Sequence, residues 1–262
     1  MRVDRVALLG VPVDVNSSFL RGAARAPGQI REALASPAGN SWSEGGVDTS
    51  AFLDDRGDLE EQVDGRSIRA AVVRILEQET RPLLLGGDHS ITDPIVQAFE
   101  QRWPRLDVVH FDAHADLYDE LEGQRNSHAC PFARIMERGH VSRLVQIGIR
   151  TLNRHQREQA DRFGVEVIEM RQLERPKKLV FDNPLYLSID LDVLDPAFAP
   201  GLSHREAGGM STRELIHWIQ QLSGNLVGAD IVELNPERDV DGMTAGVAAK
   251  LLKEVVARLV SP

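Results

Sequence analysis

Only one cysteine, Cys130, stands among the 262 residues. No intrachain disulfide can form, and with no oxidised framework to maintain, the default compartment is the cytoplasm. No segment approaches the ~18 consecutive apolar residues that a membrane span requires. The apolar run after Met1-Arg2-Val3-Asp4-Arg5 is too short for a signal peptide. Positive charge is also scarce: 30 Lys and Arg against 40 Asp and Glu give a net charge of −10. That argues against a nucleic-acid partner, whose phosphates need clustered Lys and Arg. It suits a cationic ligand, although acidity also serves solubility. No repeat, low-complexity tract or Pro/Gly/Ser linker divides the chain, so residues 1–262 read as a single domain.

A hydrophobic content of 42% beside 27% charged residues can bury a sizeable core. Short apolar runs predict strands at residues 6–11, 83–86, 108–111, 144–149, 166–168, 186–189 and 228–232. Helical periodicity predicts helices at 27–34, 67–79, 93–102, 131–138, 154–163, 212–222 and 243–260. Residues 36–64, rich in Gly, Ser and Asp, read as loop with one strand near 51–53. Near-continuous apolar strands alternating with helices signal an α/β fold, a parallel sheet covered on both faces.

Polar motifs interrupt this pattern at consistent places. Asp112-Ala113-His114-Ala115-Asp116 and Asp190-Leu191-Asp192 each follow an apolar run. Side chains at i, i+2 and i+4 of an extended segment share a face. Asp112, His114 and Asp116 can therefore point one way, as can Asp190 and Asp192. Taken alone, the first motif could be a polar loop that caps a helix. Gly86-Gly87-Asp88-His89-Ser90 lacks the Gly-Lys-Ser/Thr ending of a phosphate loop. His89 is read instead as a sixth ligand, with Gly86 and Gly87 letting backbone pass close to the metals. Carboxylate and imidazole suit divalent first-row metals. Six donors exceed the need of one ion, which points to a two-metal hydrolytic site. His89, the Asp112 motif, Asp190, Asp192 and Glu233 all fall at carboxyl ends of predicted strands, where open α/β sheets bind ligands.

Other candidates are less determined by spacing. Glu233, before Asn235-Pro236, would pair with an arginine or hold a cationic substrate by charge-assisted hydrogen bonds. His128, in the loop Asn126-Ser127-His128, is open to a structural or a pocket role. Asp88 is read as a capping or supporting residue, and Asp195-Pro196 as a turn. His110 is read as out of step with the strand acids and core-facing. His140, His155, His204 and His217 are read as surface or packing residues. Cys130 is read as a small buried side chain rather than a nucleophile.

Together the motifs resemble the ureohydrolase family of arginases and agmatinases over nearly the whole chain. Gly10-Val-Pro-Val-Asp14 and Asn16-Ser-Ser-Phe-Leu-Arg-Gly22 look like that family's opening strand and loop. Ser127-His-Ala129, Phe132-Ala-Arg-Ile-Met-Glu137 and Asp239-Val-Asp-Gly-Met-Thr-Ala245 look most like its plant-type arginase branch. The resemblance implies a three-layer α/β/α domain around a mainly parallel eight-stranded sheet, usually in homo-oligomers (trimers or hexamers). It also implies two Mn²⁺ ions. His89, Asp112, Asp116 and Asp190 would hold one, and His114, Asp112, Asp190 and Asp192 the other, with Asp112 and Asp190 bridging.

The activity so implied is hydrolysis of a small cationic guanidino substrate to urea and an amine. Asp116 would orient the attacking hydroxide, Glu233 would fix the guanidinium, and His128 would carry the proton to the leaving amine. Asn126, with the loop 118–126, and Asn153 are the candidates for recognising the substrate's tail. Animal-type arginases tend to place an acid where Asn153 stands, whereas the plant-type branch shares the amide. Arginine is the expected substrate, with agmatine next and other guanidino acids after it. A single-zinc deacylase, a two-metal phosphoesterase and a non-catalytic binding protein are the competing classes.

Overall fold

The computed structural model describes residues 5–60, 63–173 and 179–261. Residues 1–4, on which part of the reading of the N-terminus rests, lie outside them. Eight strands, β1 (Val6–Val11), β2 (Leu53–Asp58), β3 (Arg81–Gly86), β4 (Leu106–Phe111), β5 (Val141–Ile149), β6 (Glu166–Glu169), β7 (Leu185–Asp190) and β8 (Leu226–Val232), form one sheet. Their order is β2-β1-β3-β8-β7-β4-β5-β6, and every neighbouring pair is parallel. The helices are α1 (Ala26–Leu34), α2 (Gly65–Glu77), α3 (Thr92–Ala98), α4 (Pro131–Arg138), α5 (Arg154–Phe163), α6 (Thr212–Gln221) and α7 (Met243–Val260).

Two cores lie on opposite faces of the sheet, and strand alternation sorts residues between them. In β4, Val109 and Phe111 join the core under α1, α6 and α7, while Leu106 and Val108 join the core under α2 to α5. With both faces covered, the inner strands must be largely apolar, as β1 is throughout and as β3 and β8 are apart from Arg81 and Asp230. Helix starts follow local chemistry. Asp64 caps α2 in a reciprocal box with Ser67, and Ser211 does so for α6 with Glu214. Each such cap contributes about 1 kcal/mol.

The loop expected over 36–64 is only partly found. Its strand runs over Leu53–Asp58 rather than near 51–53, where a helical turn, Thr49–Ala51, stands instead. Leu-Asp-Asp-Arg-Gly-Asp has no apolar alternation because β2 is an edge. Backbone pairing with β1 and the Arg31 guanidinium, bonded to Asp55 and Asp58, hold it there. Helix α3 ends at Ala98, before the expected residue 102.

Candidate metal centre

Four neighbouring strands at the middle of the sheet, β3, β8, β7 and β4, deliver the polar motifs from their carboxyl ends. Adjacent strands lie about 4.8 Å apart, so side chains leaving these ends must meet. His89 follows β3 and is fully buried; its Nδ1 lies 3.3 Å from Asp112, 3.1 Å from Asp116 and 3.2 Å from Asp190. His114 Nδ1 lies 2.8 Å from Asp192 Oδ2 and 3.4 Å from Asp112 Oδ1. The two oxygens of Asp112 thus face different histidines. All six residues read as ligands from the sequence are brought together.

The orientation of His89 is set from behind. Its Nε2 lies 2.9 Å from Ser188 Oγ, and Ser188 donates to Asp230 Oδ1 at 2.7 Å. Ser188 Oγ has spent its proton on Asp230, so the His89 Nε2–H donates to it. The Nδ1 lone pair then faces three carboxylates, and this buried nitrogen has no hydrogen-bond partner among the described residues. Four acceptors converging with a single side-chain donor, His110 to Asp112, is the chemistry of a cation site. In the chain alone, burial opposes charge on His89, but the nearby Asp112, Asp116 and Asp190 carboxylates favour the imidazolium and hold the imidazole well above its ordinary range. Burial, with the charges of Asp192 and Asp112 beside it, raises the Asp190 carboxyl in turn. The donor set, four carboxylates and two imidazoles, fits divalent first-row cations.

His110 is corrected by the structure. It is buried and its Nε2 lies 2.7 Å from Asp112 Oδ2, while Gln146 Nε2 donates to its Nδ1 at 3.0 Å. The ring therefore donates to Asp112 and stacks on Phe132 at 3.8 Å. The sequence carried this signal: 110 and 112 have the same parity in one strand, so His110 was in step with the acids. Ser188 and Asp230 were equally visible as polar residues inside apolar strands. The glycine reading also changes. A side chain on Gly87 would collide with the carbonyl of Val13, and one on Gly86 with Val232 and Ile91. These glycines admit neighbouring protein, not metal. Asp88 caps the turn that carries His89 and accepts from the Asn16 N–H at 3.0 Å.

Glu233 and His128 meet beside this cluster. Glu233 Oε1 accepts the His89 N–H at 2.9 Å and contacts His128 Nδ1 at 2.9 Å. His128 Nε2 lies 2.8 Å from Ser18 Oγ. Burial opposes protonation of His128, but the charges of Glu233, Asp116 and Asp88 outweigh it and raise the imidazole to about 9. Asp116 and Glu233 both adopt positive φ, 50° and 68°. Such strain at non-glycine residues persists where the surroundings over-determine it.

A pocket of about 230 Å³ opens over the cluster, lined by Asp116, His128, Asp190, Asp192 and Glu233 among others. Asn126 and Asn153 do not line it. Asn126 borders a separate cleft, and Asn153 caps α5, accepting from Gln156 N and donating to Tyr118 Oη at 2.6 Å. Tyr118 and Leu121 of the loop 118–126 do line the pocket, and sequence reasoning missed Ser18, Thr151, Gln156, His204 and Glu206, which line it as well. His204, read as a surface or packing residue, has its ring 5.1 Å from that of His128. Apart from Gln156 on α5, these are loop residues, where no periodicity gives a signal. Asp195 forms the expected turn, accepting from Ala197, Gly208 and Gly209. Burial pushes the Cys130 thiol up to about 11, which keeps it inert.

The profile described as "Arginase family" matches residues 4–257. The chain is 47% identical to "Arginase 1, mitochondrial" of Arabidopsis thaliana over 275 aligned positions, covering 97% of this chain and 80% of the relative. It is 32% identical to the agmatinase of Bacillus subtilis (strain 168), covering 95% and 90%. The solved arginase from Medicago truncatula superposes with a TM-score of 0.92 at 42% identity, covering 98% of this chain and 88% of that one. The cytoplasmic expectation is overturned by these relatives: plant arginases similar to this chain are named mitochondrial. A single cysteine speaks only against a disulfide framework and cannot separate compartments that lack one.

Proposed function

The chain belongs to the arginase family, and on that premise we propose that it hydrolyses L-arginine to L-ornithine and urea. The observation that carries the reading is its higher identity with plant arginases than with agmatinase, at near-complete cover of the chain. The family is one of binuclear metal enzymes, and the cluster around His89 and His114 has the donors for two ions. We read the metal as Mn²⁺, because four of six donors are carboxylates. His89, Asp112, Asp116 and Asp190 would hold one ion and His114, Asp112, Asp190 and Asp192 the other. The split of the Asp112 oxygens between the two histidines supports bridging by Asp112. Two such ions, when bound, supply Lewis acidity that lowers the pKa of water towards neutrality.

The chain's own groups supply the remainder. A guanidinium stays protonated at any physiological pH, so it enters the acidic pocket as a cation. Glu233 has both hydrogen bonds on Oε1, and Oε2 has no partner among the described residues. That oxygen would hold the guanidinium by a charge-assisted bond. Asp116 would accept a hydrogen bond from the attacking water and orient it. As the scissile C–N bond breaks, the departing amine nitrogen needs a proton. His128, protonated near neutrality, has Nδ1 pinned by Glu233 and would give the Nε2 proton, directly or across Ser18 Oγ.

A second reading, agmatine as substrate, has one observation in its favour. Among the described residues the pocket is lined by no Lys or Arg to meet the α-carboxylate of arginine. Urea release with Mn²⁺, measured against arginine, agmatine and shorter guanidino acids, tests both. A higher kcat/KM for agmatine would overturn the arginase reading and leave the amidinohydrolase chemistry standing. We read residues 1–262 as one domain, supported by a single sheet whose strands span Val6 to Val232. A homo-oligomer, trimer or hexamer, belongs to the same reading. The exposed apolar side chains of Phe198, Val240 and Met243 are surface that a second copy would bury.

A further inference from the structure

A second, larger cleft of about 1190 Å³ lies between α2, α3 and α4, outside the pocket over the metal ligands. Its charge is opposite to that of the protein as a whole. Six arginines, Arg66, Arg69, Arg74, Arg125, Arg134 and Arg138, line it against three carboxylates, Asp64, Glu77 and Asp93. The chain around it carries a net charge of −10.

The arginines of α4 and its neighbouring loop are partly compensated. Arg138 pairs with Asp93, and Arg125 and Arg134 share Asp119 and Glu137. Arg134 is nevertheless only 7% exposed and is satisfied at one nitrogen alone. Its Nη2 donates to Asp119 and Glu137, while Nε and Nη1 meet no acceptor among the described residues. Across the cleft, Arg66, Arg69 and Arg74 of α2 make no ion pair among the described residues, and the buried Nε of Arg69 has no partner. Asp64, one of the two acids that line that side with Glu77, is already engaged as the cap of α2. Buried guanidinium donors without acceptors are costly, and the planar guanidinium fork matches carboxylate and phosphate.

We propose that this cleft binds a small multivalent anion, a phosphorylated or polycarboxylate metabolite, through Arg66, Arg69 and Arg74 of α2 and Arg134 of α4. The site goes beyond the amidinohydrolase reading and does not depend on it. Its wall includes Asn126 and Ser127, and the next residue, His128, donates its N–H to Asn16 O at 3.1 Å. A bound anion would therefore sit against the segment that carries His128.

The test uses the metal-loaded protein and two probes, fructose 1,6-bisphosphate and tricarballylate, with binding followed by calorimetry at low and at physiological salt. At least one probe binds saturably, weakens with salt, and loses about ten-fold or more in affinity in Arg69→Gln or Arg74→Gln, each removing a charged hydrogen-bond donor. The preferred probe tells phosphate from carboxylate chemistry. Both variants keep wild-type turnover in the absence of probe. Arg134→Gln weakens binding too, but the α2 variants decide the question if that change unfolds the chain. Binding by neither probe overturns the proposal, as does affinity unchanged in both α2 variants or binding mutually exclusive with arginine. Self-association that depends on Arg69 and Arg74, with no probe bound, would assign the cleft to acidic side chains of a second copy and also overturn it.

Discussion

Two buried acidic centres sit one side chain apart, joined by Ser188, and they are finished in opposite ways. Asp230 receives three hydroxyl donors: Tyr186 at 2.7 Å, Ser188 at 2.7 Å and Thr92 at 2.9 Å. Asp112, Asp116 and Asp190 instead converge on a single imidazole nitrogen that Ser188 leaves without a proton to give. Residue type and burial are alike at both centres. What differs is the supply of donors: in the cluster His110 donates to Asp112, but Asp116 and the Asp190 oxygen that faces His89 receive none among the described residues. A buried carboxylate whose donors are all in place is part of the scaffold, whereas acceptors gathered without donors call for a cation. The saturated centre also serves the unsaturated one, because Asp230 fixes the hydroxyl that fixes the ring.

The most severe way to break this contrast is Asp190→Ala, which removes a carboxylate from the cluster. Elemental analysis should show metal lost at both positions and urea release should fall below detection. Full metal retention would mean that the acids are not acting as a unit. His128→Asn touches the proton path and leaves the cluster's acids alone. It should keep both metals and slow turnover by about 10²–10⁴-fold, the range for loss of a general acid; metal loss would make His128 a ligand. Ser188→Ala sharpens the comparison by severing the link between the centres. Metal affinity should drop by about 10–100-fold in a folded protein, and an unchanged affinity would confine the Asp230 network to scaffolding.

The smallest effect lies away from both centres. The Arg213 guanidinium, bonded to Glu44, holds that carboxyl at about 2 against the slight burial that would raise it. A carboxylate depressed in the folded state stabilises the fold above its unfolded value of about 4.5, and that stability is lost as pH falls towards 2. Arg213→Ala should therefore reduce the drop in urea midpoint between pH 5 and pH 3 while metal content at neutral pH stays unchanged. A drop as steep as in the unmodified protein would count against the pair.

The sequence carried more of this than of the pocket. Apolar runs located the inner strands because both faces of the sheet are covered, and α4, α5 and α7 fall on their expected bounds. Acids and histidines at strand ends were legible because parity and topology both constrain them. His110 and Ser188 obey the same parity and were readable on that ground. The edge strand β2 was not, since its charged side chains reflect exposure rather than pairing. Nor were His204 and Glu206, whose loop has no period to announce which way a side chain faces. Asn153 shows the reverse error: its polar side chain serves helix α5 as a cap, a local duty indistinguishable by residue type from substrate recognition.

The left-handed backbone at Asp116 and Glu233 has a consequence for anyone selecting this protein for heat resistance. Both positions hold a conformation in which glycine is at ease and other residues are strained. A screen that rewarded survival of the fold alone would drift towards glycine at these two sites. Each step would relax the chain and erase a carboxylate from the pocket. Robustness and turnover are thus set against each other at two identifiable codons, and a stabilising campaign should hold both fixed.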